Sequence, residues 1–172
     1  MEEMIIRLAT FDDVPQLSIL AGQLGYASTE EEVGCRLAEL IQQSNDAVWV
    51  AARPDSNVVG WIHIALQRSL LHEPVLMVEG LIINQSYRGM GIGRRLLTHA
   101  EQWGEARGCE AICVKSNIIR AEAHKFYEHL GYQNVKTQCV FYKSLEHVDL
   151  IVSDSSNEIK IVPDRDATPP LP

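Results

Sequence analysis

The spacing of apolar residues divides the first third of the chain into one strand and two helices. Residues 4–9 have the apolar content of a strand. Leucines at helical intervals follow and predict a first helix. We expect it to start at Asp12, to hold Pro15 in its first turn and to stop at Gly25. Thr29 then begins a capping-box sequence, which predicts a second amphipathic helix.

The middle of the chain predicts three strands and a longer helix. Residues 47–52 and 58–66 are apolar runs separated by turn-forming residues, and they read as an antiparallel hairpin. Residues 75–83 form a third apolar run. Residues 92–107 show an apolar face at helical spacing, and Gly108 suits the end of this helix.

The last part of the chain changes character beyond His147. A strand at 111–115 and a helix at 120–129 precede strand-like material at Val135 and at 139–145. Residues 147–172 are acidic, polar and proline-ending, with one apolar island at 159–162. We therefore expect one domain over 1–146 and a tail over 147–172, flexible or packed through its island on a sheet edge.

A glycine-dense run, Arg88-Gly-Met-Gly-Ile-Gly93, lies between the strand at 75–83 and the helix at 92–107. Glycines allow close backbone approach, the amides at a helix start attract anions, and Arg88 can bind a phosphate oxygen. A P-loop would need a lysine after these glycines, and a dinucleotide fingerprint would need a glycine at the position of Arg94. The run predicts a phosphate-bearing ligand, with a tightly packed helix start as the alternative.

Two motifs carry a family resemblance. Arg88-x-x-Gly91-x-Gly93 resembles the acyl-coenzyme A pyrophosphate loop of the GCN5-related N-acetyltransferases (GNAT). The segment from Asn117 to Tyr132, with Ala-x-x-Phe-Tyr-x-x-Leu-Gly-Tyr at its end, is similar to the stretch after the fifth strand of that family. The resemblance spans residues 4–145. It implies an α/β (α+β) fold: a mixed, mostly antiparallel central sheet with helices on both faces and a central, splayed parallel strand pair.

The resemblance also implies acetyl-coenzyme A as cosubstrate. It suggests that the Leu81 N–H faces the acetyl carbonyl and that Ile83 pairs with the pantetheine arm like an added strand. Asn117 is expected to bind the pantetheine or, alternatively, to cap the next helix. The residues expected to bind the coenzyme are Leu81, Ile82, Ile83, Arg88, Gly89, Met90, Gly91, Ile92, Gly93, Arg94, Asn117 and Tyr127.

Amine acetylation needs a proton acceptor for the amine and a proton donor for the departing thiolate. Tyr127 stands where the family places a hydroxyl near the coenzyme sulfur, and a packed aromatic residue is the alternative. Glu79 is the candidate base because simple alternation places it on the same strand face as Leu81. Its alternatives are binding of the cationic acceptor or pairing with an arginine. Glu73 and His72 are fallback candidates in the preceding loop.

Composition and charge bear on the number of domains, the partners, the state of the cysteines and the compartment. The chain has 172 residues, 46% of them hydrophobic, which is enough for one domain with a core. Its net charge of −8 disfavours nucleic-acid partners and favours a cationic acceptor. Four cysteines without a Cys-x-x-Cys pair predict buried thiols in a reducing compartment rather than a metal or disulfide site. The sequence contains neither a signal peptide nor a membrane-length apolar run, so we expect a cytoplasmic protein without a membrane partner.

The leading hypothesis is an acetyl-coenzyme A-dependent N-acetyltransferase that moves the acetyl group to a primary amine by direct transfer in a ternary complex. The acceptor is a small polyamine, an aminoglycoside-like molecule or a protein amine, and the acidity favours a small polycation. The alternative is a non-catalytic acyl-coenzyme A-binding or sensing module, which would not need the hydroxyl of Tyr127. A homodimer is left open.

Overall fold

A computed structural model describes residues 4–143 and the backbone of two short strands, Leu150–Val152 and Ile159–Ile161. The chain divides into two compact units, residues 1–133 and 134–172. The described part of the first unit contains nine α-helices and strands: β1 Ile5–Leu8, α1 Val14–Leu24, α2 Glu30–Ile41, β2 Asp46–Ala52, β3 Val58–Gln67, β4 Val75–Ile83, α3 Ile92–Glu105, β5 Ala111–Val114 and α4 Ala121–His129. The pattern of apolar residues therefore gave the order of these elements correctly.

One five-stranded sheet, in the order β1-β2-β3-β4-β5, forms the centre of this unit. Every neighbouring pair is antiparallel except β4 and β5, which are parallel. Apolar side chains of α1 and α2 pack on one face, and those of α3 and α4 pack on the other. The expected fold class is confirmed. No helix within the described residues is long and apolar enough to span a bilayer.

The start of α1 differs from the prediction by one residue, because Asp13 rather than Asp12 precedes the helix. The side chain of Asp13 is buried and forms a bidentate ion pair with Arg7 of β1, with both N–O distances at 2.7 Å. The Thr10 N–H also donates to this carboxylate at 2.8 Å. These bonds fix the end of β1 against the beginning of α1.

The parallel pair separates after a short ladder. Pairing between β4 and β5 ends at Val78 and Val114, although β4 continues to Ile83. Among the described residues, the rest of β4 has no strand partner on this edge. The expected splay of the two strands is therefore present.

A β-bulge in β4 changes the expected side-chain alternation. Ile64 of β3 is opposite Val78 but His63 is opposite Gly80, which leaves Glu79 as an extra residue. Val78 and Leu81, three residues apart, consequently pack against the same apolar layer. Simple alternation therefore does not hold between Glu79 and Leu81, and the face on which the Glu79 side chain lies stays a prediction.

The second unit departs from the strand prediction. Residues 134–143 form neither helix nor strand, and large side chains there, such as Val140 and Phe141, are exposed. A β-prone run without a partner ladder gains neither hydrogen bonds nor burial, so the strand expected at Val135 and over 139–143 does not form. Residues 144 and 145 of that prediction lie outside the described residues.

The apolar island of the tail pairs locally. β6 (Leu150–Val152) and β7 (Ile159–Ile161) form an antiparallel pair with each other. The island therefore has a partner strand from the same tail, and Val162 lies outside the described part. The division into a domain over 1–146 and a tail over 147–172 stays a prediction.

The cysteines are less buried than the sequence suggested. Cys35, Cys113 and Cys139 are exposed, Cys109 is half-buried, and all of them are free thiols. Cys35 lies on the outer side of α2 and Cys113 on the outer face of β5, which is the end strand of the sheet. The expectation of buried thiols is wrong for these positions, because an apolar neighbourhood in sequence does not fix which face of an element a residue occupies.

Candidate active site

The open edge of β4 offers backbone groups where the two parallel strands diverge. The Asn84 N–H donates to the Val59 carbonyl of β3 at 2.8 Å. Strand N–H groups point alternately to the two edges, so those of Ile83 and Leu81 point to the opposite, open edge. The Leu81 N–H is thus available at the position predicted for the acetyl carbonyl. Ile82 is buried, and its side chain packs with α1 and α2, so only its backbone lies near this edge.

Arg88 lies close to the same edge. Its Nε donates to the Ile83 carbonyl at 3.1 Å. The predicted contact between Arg88 and a phosphate would therefore have to come from the two terminal nitrogens of the guanidinium. The bond to Ile83 fixes the glycine loop against the end of β4.

The glycine loop has the backbone geometry of an anion site. Gly89 and Gly91 adopt φ angles of 77° and 76°, a region that L side chains occupy only with strain. Gly91 caps α3, and its carbonyl accepts from the Arg95 N–H at 3.1 Å. The amides of Ile92, Gly93 and Arg94 precede this bond and have no acceptor within the helix. They form a ready group of donors for phosphate oxygens. Met90, between these two glycines, is exposed.

Gly93 has a different role from its two neighbours. It is buried, and a Cβ atom there would lie only 3.1 Å from the ring of Phe126 on α4. The alternative prediction, a tightly packed helix start, therefore applies to Gly93. Gly89 and Gly91, in contrast, have the positive φ angles that favour glycine. Close packing at Gly93 holds α4, which includes Tyr127, against the start of α3.

Replacing Gly91 tests the loop. We expect Gly91→Ala to weaken coenzyme binding by about tenfold, since a side chain costs about 1–2 kcal/mol in this φ region and the free loop would relax away from the conformation that presents its amides. Gly108→Ala is a matched control, because Gly108 has a φ of 74°, equally open surroundings and a position beyond the other end of α3. Calorimetric titration with coenzyme A should separate the two variants; equal affinities would contradict this role of the loop.

Tyr127 lies half-buried on α4 between two other aromatic rings. Its ring centroid is 5.2 Å from that of Phe126 and 5.6 Å from that of Tyr132. Burial raises the pKa of the Tyr127 hydroxyl, and the positive charge of Arg120 acts in the opposite direction. The hydroxyl is therefore protonated at neutral pH and is able to donate a proton. The Tyr132 hydroxyl, in contrast, donates to Glu101 at 2.9 Å.

Asn117 forms local bonds between β5 and α4. Its side-chain oxygen accepts from the Ile119 N–H at 3.2 Å, which closes a turn, and its backbone oxygen is 3.0 Å from Nε2 of His124. The residue that caps α4 is Arg120, so Asn117 is not the helix cap. Its side-chain NH₂ stays a candidate for the pantetheine arm.

The candidate bases are all solvent-accessible. Glu79 is exposed at the bulge, and within the described chain no basic side chain forms an ion pair with it. The alternative of pairing with an arginine therefore has no support. His72 and Glu73 lie in the exposed loop before β4, with His72 Nδ1 2.8 Å from the Glu73 carbonyl.

Several polar groups near the motifs are engaged elsewhere. Arg95 donates to the Met4 carbonyl at 2.7 Å, and Lys125 pairs with Glu122. His63 is 3.2 Å from Asp46, and His99 packs edge-on against Trp49. Over the described ranges, no three His, Cys, Asp or Glu side chains lie close enough together to hold a metal ion. Sequence reasoning missed the bulge, although the Glu79-Gly80 pair within an apolar strand was a signal for it.

Comparison with known proteins agrees with this geometry. Residues 17–132 match the family model described as "Acetyltransferase (GNAT) family". The chain is 25% identical over 114 residues to an aminoglycoside N(6')-acetyltransferase type 1 of Stenotrophomonas maltophilia, covering 64% of this chain and 74% of that protein. It is 34% identical over 80 residues to an aminoalkylphosphonate N-acetyltransferase of Salmonella typhimurium, covering 46% of this chain and 52% of that protein.

Solved structures share the fold. The structure of AAC(6')-Iy with the bisubstrate analogue CoA-S-monomethyl-acetylneamine superposes with a TM-score of 0.71 at 20% identity, covering 83% of this chain and 98% of that one. Similarity at this level of identity shows the architecture of the sheet and helices.

Proposed function

Because this chain belongs to the acetyltransferase (GNAT) family, it is an acetyl-coenzyme A-dependent N-acetyltransferase, and we propose that it acetylates a small polycationic amine by direct transfer in a ternary complex. The observation that carries the proposal is the open edge of β4, the strand that leads into the glycine loop. The residues present fit the coenzyme: an exposed backbone edge for pantetheine and a group of unbonded amides at the start of α3 for pyrophosphate.

The coenzyme supplies an activated acetyl group as a thioester. The Leu81 N–H is our candidate donor to the carbonyl oxygen, where negative charge develops as the amine attacks. Ile83 is the candidate partner of the pantetheine arm. Arg88, the backbone of residues 89–94 and Asn117 complete the proposed binding set.

Tyr127 is the proposed general acid. When the carbon–sulfur bond breaks, its electron pair stays on sulfur, and the Tyr127 hydroxyl donates its proton there. The role needs a protonated hydroxyl at physiological pH, and Tyr127 meets this need because the ordinary pKa of tyrosine is well above 7 and burial raises it further. The amine is proposed to attack the thioester directly, since no cysteine of the sequence stands in a recognisable nucleophile motif.

Glu79 is proposed to act on the acceptor. Its exposed carboxylate at the bulge is two residues from Leu81 and is not neutralised by an ion pair in the described chain. It is therefore available to attract a cationic amine and to accept its proton, directly or through water. The acidity of the chain, with a net charge of −8, agrees with a small polycation. The relatives named for aminoglycosides and aminoalkylphosphonates support a small-molecule acceptor.

A panel of amine acceptors tests which class of molecule the enzyme acetylates. Purified protein and acetyl-coenzyme A are incubated with polyamines, aminoglycosides, aminoalkylphosphonates, amino acids and short peptides, and acetylated products are detected by mass spectrometry. We expect the polycations to give kcat/KM values at least about tenfold above those of monoamines and peptides. A preference for peptides would contradict the small-molecule proposal.

Substitution Glu79→Gln tests the acceptor-side carboxylate. We expect kcat/KM for the polycation to fall roughly 10–100-fold while the dissociation constant of coenzyme A changes less than about twofold. Glu73→Gln, in the loop before β4, is the control. A larger effect for Glu73→Gln than for Glu79→Gln would contradict this role of Glu79 and would indicate that Glu73 is the acceptor-side carboxylate.

The location and assembly of the protein remain predictions. The sequence favours a cytoplasmic protein without nucleic-acid or membrane partners, and a homodimer is the assembly to test. Light scattering during size-exclusion chromatography would give the mass directly, against 19.3 kDa for one chain.

A further inference from the structure

Trp61 of β3 leans across to the bulge of β4. In the strand register it is opposite Ile82, yet the six-membered ring of its indole reaches Gly80. A Cβ atom on Gly80 would lie 2.7 Å from Cζ3 and 2.9 Å from Cη2 of Trp61, closer than real Cβ atoms come to other atoms. Glycine at position 80 therefore gives the ring its place beside the bulge.

The ring lies on the face of β4 that the Leu81 side chain does not occupy. Leu81 packs with the apolar layer of α3 and α4, whereas Trp61 packs with that of α1 and α2. Leu24, at the end of α1, comes to the same place: its Cδ2 would be 3.9 Å from a Cβ on Gly80, and its carbonyl accepts from Arg120 Nη2 at 2.9 Å. The indole thus lies beside the Leu81 peptide, on the face of the sheet that carries α1 and α2.

The indole turns its N–H into the protein. Nε1 of Trp61 is buried and has no hydrogen-bond acceptor among the described residues. The residue as a whole is only half-buried, so its accessible surface lies on other atoms. At the bulge, the side chain therefore offers ring carbon and not a hydrogen-bond donor. The face of an indole attracts cations more strongly than that of any other aromatic side chain.

We propose that the Trp61 ring binds an ammonium group of the acceptor by a cation–π interaction and so selects cationic acceptors. The inference rests on the proposed function and names a residue that recognises its acceptor. Tyr127, the proposed acid, packs with the layer of α3 and α4, which leaves the opposite face of β4 for the approach of the amine. Trp61 borders that approach next to Leu81, the candidate donor to the acetyl carbonyl.

Fluorinated tryptophan tests the π electrons of the ring while its shape stays nearly the same. Fluorine withdraws electrons from the ring face, so stepwise fluorination weakens the binding of a cation. The protein is produced with one or with four fluorine atoms on each of its three tryptophans. Initial rates are measured with spermidine and with kanamycin as acceptor probes. We expect the acceptor KM to rise about threefold with one fluorine and about tenfold with four, while the dissociation constant of coenzyme A stays within about twofold.

The same labelling of Trp61→Phe is the matched control. This variant carries fluorinated rings only at Trp49 and Trp103, so its acceptor KM should not depend on fluorination. The change breaks no hydrogen bond within the part of the chain that the structure describes, because Nε1 has no acceptor there. Two results would overturn the proposal: an acceptor KM that does not respond to fluorination in the unmodified sequence, or an equal response in Trp61→Phe.

A double-mutant cycle tests the place of the ring at the bulge. Gly80→Ala adds a Cβ atom where the ring lies and should raise the acceptor KM roughly fivefold or more. In a protein that already carries Trp61→Leu the ring is absent, so Gly80→Ala should add less than about twofold. Equal effects in the two backgrounds would show that Gly80 acts without the ring and would contradict the proposal.

Failure of the proposed function would look different from failure of this inference. If the unmodified protein turned over neither spermidine nor kanamycin, the polycationic acceptor would be refuted, and the role of Trp61 with it. Turnover of either probe with a KM that is insensitive to fluorination would refute the role of Trp61 alone.

Discussion

Tyr127→Phe should lower kcat by roughly 10²–10⁴-fold and leave coenzyme binding nearly unchanged. The substitution removes only the hydroxyl, while the ring keeps its packing against Phe126 and Tyr132. The thiolate must then leave without a positioned proton donor. Steady-state release of free thiol gives kcat, and calorimetry gives the dissociation constant of coenzyme A.

Tyr132→Phe is the matched control for this experiment. It also removes one hydroxyl from the same aromatic cluster, but that hydroxyl donates to Glu101. We expect its kcat to stay within about threefold of the unmodified enzyme. If Tyr127→Phe behaved like Tyr132→Phe, Tyr127 would be a packed aromatic residue rather than the acid.

Asp13→Ala should destabilise the fold by about 2–4 kcal/mol. The substitution removes a buried carboxylate, both bonds to Arg7 and the bond from the Thr10 N–H. The loss is smaller than for a fully buried pair because about a third of the Arg7 side chain is exposed and can return to water. Urea denaturation followed by tryptophan fluorescence measures the change, and Asp12→Ala, at the exposed neighbouring position, should shift the free energy of unfolding by less than about 0.5 kcal/mol.

The effect of Asp13 should depend on pH in a defined direction. Burial alone would raise the pKa of Asp13, but the hydrogen bonds from Arg7 and Thr10 outweigh it and lower the pKa below its ordinary value. The stabilisation is therefore complete above about pH 4, the range of the unfolded carboxyl group, and is lost as pH falls through the folded value. The difference between the protein and Asp13→Ala should shrink below pH 4; a constant difference would refute this account.

The fold was predictable where local pattern and tertiary packing agree. The leucines of α1 and the apolar face of α3 gave these helices within about two residues, because each face is buried on the sheet. The pattern failed at 139–143, where β-prone side chains are exposed without a partner strand in the described part of the chain. Strand formation depends on a distant partner, which one segment's sequence does not specify.

The candidate site also divides into features that local motifs indicate and features that depend on tertiary pairing. The glycine loop is a local motif, so its residues themselves indicated an anion site, whereas the role of Tyr127 came from the family resemblance and stays a prediction. The bulge at Glu79 depends on the register between β3 and β4, and the bond from Arg120 to Leu24 joins residues 96 positions apart. Both follow from tertiary pairing, and the sequence held a local signal only for the bulge, the Glu79-Gly80 pair within an apolar strand.

Initial rates of thiol release, with acetyl-coenzyme A and the best polycationic acceptor both varied, test the central claim most directly. Direct transfer in a ternary complex predicts that thiol release requires the acceptor and that double-reciprocal plots intersect. Parallel lines, or release of one equivalent of thiol before any acceptor is added, would show an acyl-enzyme route and contradict the account.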